Sequence, residues 1–259
     1  MRNLQTLKAL VLREALKDAS NPGRVISVIL FPLFTIGILG RGVDALGGGS
    51  VVSATVLIFT GILIQEPFAQ ASRSVLDIAR EQEEGLTQEL IVAPVSKTVI
   101  LLGKIFGAVP IGLAQGILVL ILGRLLGVNL TWSRTFILLT LVPFACVAGG
   151  AFGVLVVSFL EDAKSVTDFA QVFFFPQFFL AGVFVPLSTF PEAVKLIAAC
   201  LPLTYVIEIT RTLYFWNDPE VLATVQNSPL WFSILALSFL TLLTLIIGTR
   251  RFVYRQTHK

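Results

Sequence analysis

Six stretches of this 259-residue chain contain no charged side chain, and they decide what it can fold into. They are Val25–Gly40 (16 residues), Ala45–Gln65 (21), Ile105–Gly123 (19), Thr135–Leu160 (26), Phe169–Pro191 (23) and Val221–Thr249 (29). A helix crosses the hydrocarbon core with roughly 17–25 apolar residues, so five runs are long enough outright and the first is marginal. The first is bounded by Arg24 and Arg41, whose long stems lie along an apolar zone while their charges reach the headgroups. Continuous apolarity excludes a transmembrane barrel, whose strands alternate. A bilayer otherwise admits only helices. The expected fold is an all-α integral membrane protein with six transmembrane helices, one domain over residues 1–259. With 55% hydrophobic and 14% charged residues, against about 25% charged in soluble domains, no soluble fold of this size hides so much apolar surface.

The net charge of +3 is explained by where the basic residues fall rather than by nucleic acid. With both termini in the cytoplasm, fourteen Lys and Arg lie inside and only Arg41, Arg124, Arg134, Lys195 and Arg211 outside, which satisfies the positive-inside rule. The basic segment Arg250 to Arg255 then stops the last span at the inner leaflet. Before the first span, Leu4, Leu7, Leu10, Val11 and Ala15 share one helical stripe, so residues 1–21 suit an interfacial amphipathic helix. Asn21-Pro22-Gly23 turns the chain into the membrane. Met1–Arg24 lacks the apolar core of a secretory signal, and Gly47-Gly48-Gly49 mark a tight turn after the first span.

Residues 187–229 are the one irregular region, with Pro191, Pro202, Pro219 and Pro229 around two apolar pieces too short to cross. Backbone that enters a membrane without crossing it must be buried in protein or line a cavity. A re-entrant helical hairpin before the last span is therefore expected, carrying Glu208 and Arg211 three residues apart on one face, placed either to pair with each other or to touch cargo. Glu66, beside Pro67, has two readings: the wet end of the second span, or a functional intramembrane acid. The G-x-x-x-G pairs Gly103/Gly107, Gly112/Gly116, Gly123/Gly127 and Gly149/Gly153 suit close helix packing.

The chemistry of catalysis is missing. The single histidine, His258, is at the C-terminus, and no nucleophile, dithiol or zinc-protease motif occurs. Cys146 and Cys200 have no metal-ligand spacing and read as free thiols. Gly103-Lys104 is not a phosphate loop, because Thr98 stands where glycine is needed and Ile105 where Ser or Thr is needed. No metal and no cofactor is expected in this chain, and it is not expected to be an enzyme.

The longest polar island is Glu81–Lys97. Glu81-Gln82-Glu83-Glu84-Gly85, then Leu90-Ile91-Val92-Ala93-Pro94-Val95-Ser96, then Gly103-Lys104 leading into a glycine-rich span, together resemble the cytoplasmic loop of ABC type-2 transporter permeases, the multidrug-resistance type in particular. Gly182-Val183-Phe184-Val185-Pro186-Leu187-Ser188 with Pro191, and Leu201-Pro202-Leu203-Thr204-Tyr205, extend the resemblance over essentially the whole chain. Leu86 and Gln88 depart from the Thr and Glu usual there. The resemblance implies a permease subunit in a bacterial plasma (inner) membrane, paired with a second permease copy and with two separate ATP-binding subunits that hold ATP and Mg. Such complexes export drugs, lipids or lipid-linked glycans. In this reading residues 77–98 are the coupling loop: Leu86, Leu90 and Ile91 at helical spacing enter a partner's groove, Glu81, Glu83, Glu84 and Glu89 meet basic residues at its rim, Gly85 belongs to the same motif, and Pro94 ends the helix. A mostly apolar cargo path between two copies would involve Glu66, Glu208 and Arg211, with bulk from Phe173, Phe174, Phe175 and Phe178. The rival reading is an ion-coupled carrier or channel, which needs ionisable groups inside its spans.

Overall fold

The computed structural model describes residues 11–13, 16, 20, 22–46, 52–84, 97–160 and 162–257. Among these every regular element is helical, with no strand. The first span is α1 (Pro22–Pro32), a π-helical stretch (Leu33–Gly40) and α2 (Arg41–Ala45) in direct succession. It is thus longer than its uncharged run, and Arg41 lies within it rather than at its end. Then come α3 (Ala54–Glu83), α4 (Lys97–Leu125), α5 (Trp132–Phe159) and α6 (Ala163–Leu180). A short 3-10 turn, Leu187–Thr189, leads to α7 (Glu192–Ala199), α8 (Pro202–Tyr214), α9 (Pro219–Val225) and α10 (Leu230–Thr257). The interfacial helix expected over residues 1–21 and the Gly47–Gly49 turn fall almost wholly outside the described residues.

Five helices are long and apolar enough to cross a membrane. The sixth crossing follows from topology. The N-terminus of α6 is tied to the end of α3, where Ala163 N–H donates to Glu83 Oε1 at 2.7 Å. Its other end reaches Gly61 near the start of α3, where Val183 packs against the glycine. At 18 residues α6 is about 27 Å long, close to the hydrocarbon thickness. The run Phe169–Pro191 is not one helix, however, because α6 stops in a Schellman turn: Val183 N–H bonds Phe178 O, Gly182 N–H bonds Phe179 O, and Gly182 takes φ +81°. The α7–α8 pair is bent by 100°. Since Tyr214 donates to Asn129 O in the α4–α5 connection, the pair enters and leaves at one end of the bundle, the re-entrant hairpin expected.

α3 is the post around which the others pack. Glycines let α4, α5 and α6 approach it. A Cβ at Gly149 of α5 would collide with the Phe68 backbone, one at Gly123 of α4 with the Phe59 ring, and one at Gly153 would lie 2.8 Å from Ser72 O. Ser72 donates to Gly149 O at 2.6 Å across the same contact. The sequence pairing of Gly123 with Gly127 does not hold as a packing motif, because Gly127 has φ +87° and serves the turn after α4. Conversely Gly61 and Gly248, outside any such pair, pack against the Val183 and Leu155 backbones.

Candidate functional site

One end of the bundle, here the loop end, carries the ends of α3, α5 and α10 and the starts of α4 and α6. Thirty helical residues make α3 about 45 Å long, some 15 Å more than a hydrocarbon core. Its last turns are braced by charge. Lys104 of α4 donates to Glu81 at 2.8 Å, with both side chains under a tenth exposed. Glu83 accepts from the first amide of α6, one of the donors a helix start leaves without an intrahelical partner. Glu84 pairs with Arg80 one turn back at 2.8 Å. Beside them Asp162 caps α6 through the Ser165 N–H at 2.7 Å, which holds its carboxyl below the usual range. From α10, Arg255 donates to Ser158 O and Leu160 O, closing the end of α5, and Arg251 stacks over Phe159 at 4.1 Å.

These positions revise part of the sequence reading. The Glu81 carboxylate is buried against Lys104 within the chain rather than exposed at the tip. Glu83 and Glu84 are exposed at the tip, with Glu83 joining the long polar island to the short α5–α6 link. Gly85, Leu86, Glu89, Leu90, Ile91 and Pro94 lie outside the described residues.

The membrane-embedded candidates separate into distinct places. Glu66 is not at a wet end: it lies twelve residues beyond Ala54, about 18 Å along the helix, and is 7% exposed. Arg73, two turns further on the same face, is its nearest charge of opposite sign along α3. Arg211 and Glu208 do not pair. No ion pair joins them among the described residues; Arg211 Nη2 donates to Val183 O at 3.0 Å and Leu57 O at 3.3 Å, while Glu208 accepts from Ser233 at 2.9 Å. Arg211 thereby ties the turn after α6 to the start of α3, and Glu208 ties the hairpin to α10. Phe174 stacks edge-on against Phe152, and Phe178 lies 5.6 Å from Phe31 and 6.3 Å from Phe184, so both fill gaps between helices.

Three glutamines escaped the sequence reading. Gln65, Gln115 and Gln177 are each no more than 2% exposed, and their amide atoms meet no hydrogen-bonding partner among the described residues. Gln65 is one turn from Gly61, which faces Val183. Gln177 precedes Val183 by six residues, across the turn that ends α6. Gln115 lies between Gly112, against Pro67, and Gly123, against Phe59. All three sit at the depth of Glu66, a polar layer near the middle of α3. The signal was present as Gln in otherwise apolar runs, where a buried polar side chain is costly.

At the opposite end, Asp44 accepts from Ser53, Ala54 and Thr55 and so caps α3 from the preceding helix. Arg134 pairs with Asp218 at 3.3 Å and stacks over Tyr214. No cluster of potential metal ligands occurs among the described residues.

Comparison with known proteins agrees with this architecture. A putative transport permease ycf38 of Pyropia yezoensis is 28% identical over 239 residues, 86% of this chain and 79% of the relative. The protein of that name from Porphyra purpurea is 27% identical over 84% of this chain and 77% of its own length. The probable multidrug ABC transporter permease YbhR of Escherichia coli (strain K12) is 26% identical over 54% of this chain and 38% of its own length. The sequence profile described as ABC-2 type transporter matches residues 5–215, most of the chain, and the chain belongs to that family.

Proposed function

We propose that this chain is the membrane subunit of an ATP-driven exporter, working as two copies with two separate ATP-binding subunits that carry the ATP and Mg. Both termini face the cytoplasm, in a bacterial plasma (inner) membrane, so the loop end is the cytoplasmic end. The observation that carries the reading is the braced extension of α3: a rod about 15 Å longer than the hydrocarbon core, joined by Glu81–Lys104 to α4 and by Glu83 to α6. Coupling requires packed elements through which work can pass, and a push on residues 81–97 reaches three spans through these two links. The exposed apolar faces of α10 and α6 suit lipid and a second copy, and they favour a hydrophobic or amphiphilic cargo. Glu66, Arg211 and Glu208, with the glutamine layer, are the polar groups available to such a path, and Phe174 and Phe178 its apolar wall. A relative's name as a multidrug permease supports this cargo class.

The burial of Glu66 in the middle of α3 supports a second reading, an ion-coupled carrier. Proteoliposomes separate the two. With the ATP-binding partner present, export of a fluorescent amphiphile should require ATP and persist when ion gradients are collapsed. Transport driven by a proton or sodium gradient without the partner would reverse the choice.

A further inference from the structure

Between the end of α4 and the start of α5, at the end of the bundle remote from Glu83, lies a slot of about 510 Å³. Its layering is that of an amphiphile. Ile117, Ile121 and Leu139 line the deeper part, and Arg124, Trp132 and Thr135 are placed towards the α4–α5 turn. Seven residues separate Ile117 from Arg124, so the apolar part runs about 10 Å down the helix axis. Ile117 is 46%, Ile121 53% and Trp132 93% exposed, so this chain leaves the slot open on its flank. Arg124 is fixed by Nη1 donating to Leu130 O at 2.9 Å. That bond uses one of the five donors of the guanidinium. Among the described residues no acidic side chain lines the slot. Tryptophan at a span terminus sits at headgroup level, which sets the depth of the neighbouring Arg124.

We infer that this slot holds one resident anionic phospholipid, its phosphate on Arg124 and the upper part of one acyl chain against Ile117, Ile121 and Leu139. Charge selects the occupant. A zwitterionic lipid brings no net charge to the guanidinium, and a cationic amphiphile is repelled. A second copy of this chain would need an acidic residue to meet Arg124. A free phosphate ion uses the arginine but leaves the apolar wall unfilled. The inference requires only that the chain is embedded in a bilayer, so it stands or falls separately from the exporter reading.

The test is native mass spectrometry of the full-length protein released from detergent, titrated with phosphatidylglycerol or with phosphatidylcholine of the same chains. One phosphatidylglycerol should bind with about fivefold preference, the effect of one basic residue near a membrane surface. Arg124→Gln should reduce the preference to near unity, and Arg124→Lys should keep most of it. Ile121→Trp fills the slot with Arg124 intact and should lower occupancy by both lipids. Millimolar inorganic phosphate should not displace the bound lipid. Equal binding of the two lipids by the unmodified protein, an undiminished preference in Arg124→Gln, or displacement by phosphate alone would each overturn the assignment. Arg124→Gln and Ile121→Trp must give the parent's thermal transition within a few degrees; if both unfold, the preference of the unmodified protein still decides.

Discussion

α3 and the last span are both long apolar helices, yet 89% of the most apolar window of α3 is buried inside the chain and only 11% of that of Pro219–Arg255. The contrast shows that apolarity alone does not tell a core helix from a peripheral one in a membrane, where lipid tails are as apolar as leucine. The buried helix is distinguished by what it adds to apolarity. Glycines on its neighbours bring their backbones close, and polar groups spend their hydrogen bonds inside the protein: Ser72 on Gly149, Glu81 on Lys104, and the Leu57 carbonyl on Arg211. α10 has Ser233 on Glu208 near its start and Arg255 at its end, and between them offers Leu235, Phe239 and Leu242, all more than half exposed.

The difference is measurable, and the Glu81–Lys104 pair should show it most strongly. Lys104→Met removes the ion pair that Glu81 makes in a buried place and should cost about 3–5 kcal/mol, whereas Glu81→Leu with Lys104→Met should recover most of that. Thermal unfolding of the purified protein reads both, and a double variant as unstable as the single one would mean that the pair does more than satisfy itself. Gly149→Ala should cost about 1–3 kcal/mol, because the added methyl meets the Phe68 backbone rather than a side chain that can turn away. Arg211→Met removes charge-assisted bonds to two carbonyls and should cost about 2 kcal/mol. It should also loosen the turn after α6, seen as faster amide exchange at Val183 and Phe184.

On α10, Leu235→Ala and Phe239→Ala should each change stability by no more than about 0.5 kcal/mol in the monomer, as exposed positions do. If either variant instead costs more than that only in the assembled complex, a second copy covers this face and the contrast with α3 sharpens to monomer against dimer. The smallest effect is expected from acid. The Asp162 carboxyl is held below its ordinary value of 3.8 by the Ser165 N–H, so its cap on α6 is fully present above that value and is lost as pH falls through the lower folded value. Fraying of α6 between pH 5 and 8 would show that the cap is not what holds its start.

Much of this was legible in the sequence because the signals are local. Charge-free runs marked the spans, and prolines spaced too closely for a crossing marked the re-entrant hairpin. What was not legible depends on neighbours far along the chain. Glu66 reads as a boundary residue because Gln65 precedes it and Gln70, Ser72 and Arg73 follow so closely, yet α4 and α5 cover this stretch and carry it inside. Glu81 reads as surface because its partner Lys104 is 23 residues away, beyond a loop. Arg211 finds carbonyls rather than Glu208 because Gly61 lets the Val183 backbone close on α3, and no local pattern records a missing side chain on another helix. The α1–α2 span exceeded its uncharged run because Arg41 and Asp44 continue the helix, Asp44 doing so while capping the next one.

In the proposed exporter, the exposed tip of α3, and not the apolar sleeve, receives work from an ATP-binding partner. This role is tested most directly by replacing Glu83, Glu84 and Gly85 together with alanine in the reconstituted complex, and measuring cargo-stimulated ATP hydrolysis with export. Membrane insertion should be intact, since the substitutions lie at the end of α3 that extends beyond the hydrocarbon core, while stimulated hydrolysis and export are both lost. If the partner still binds and export continues at the parent rate, the tip of α3 is not the coupling element.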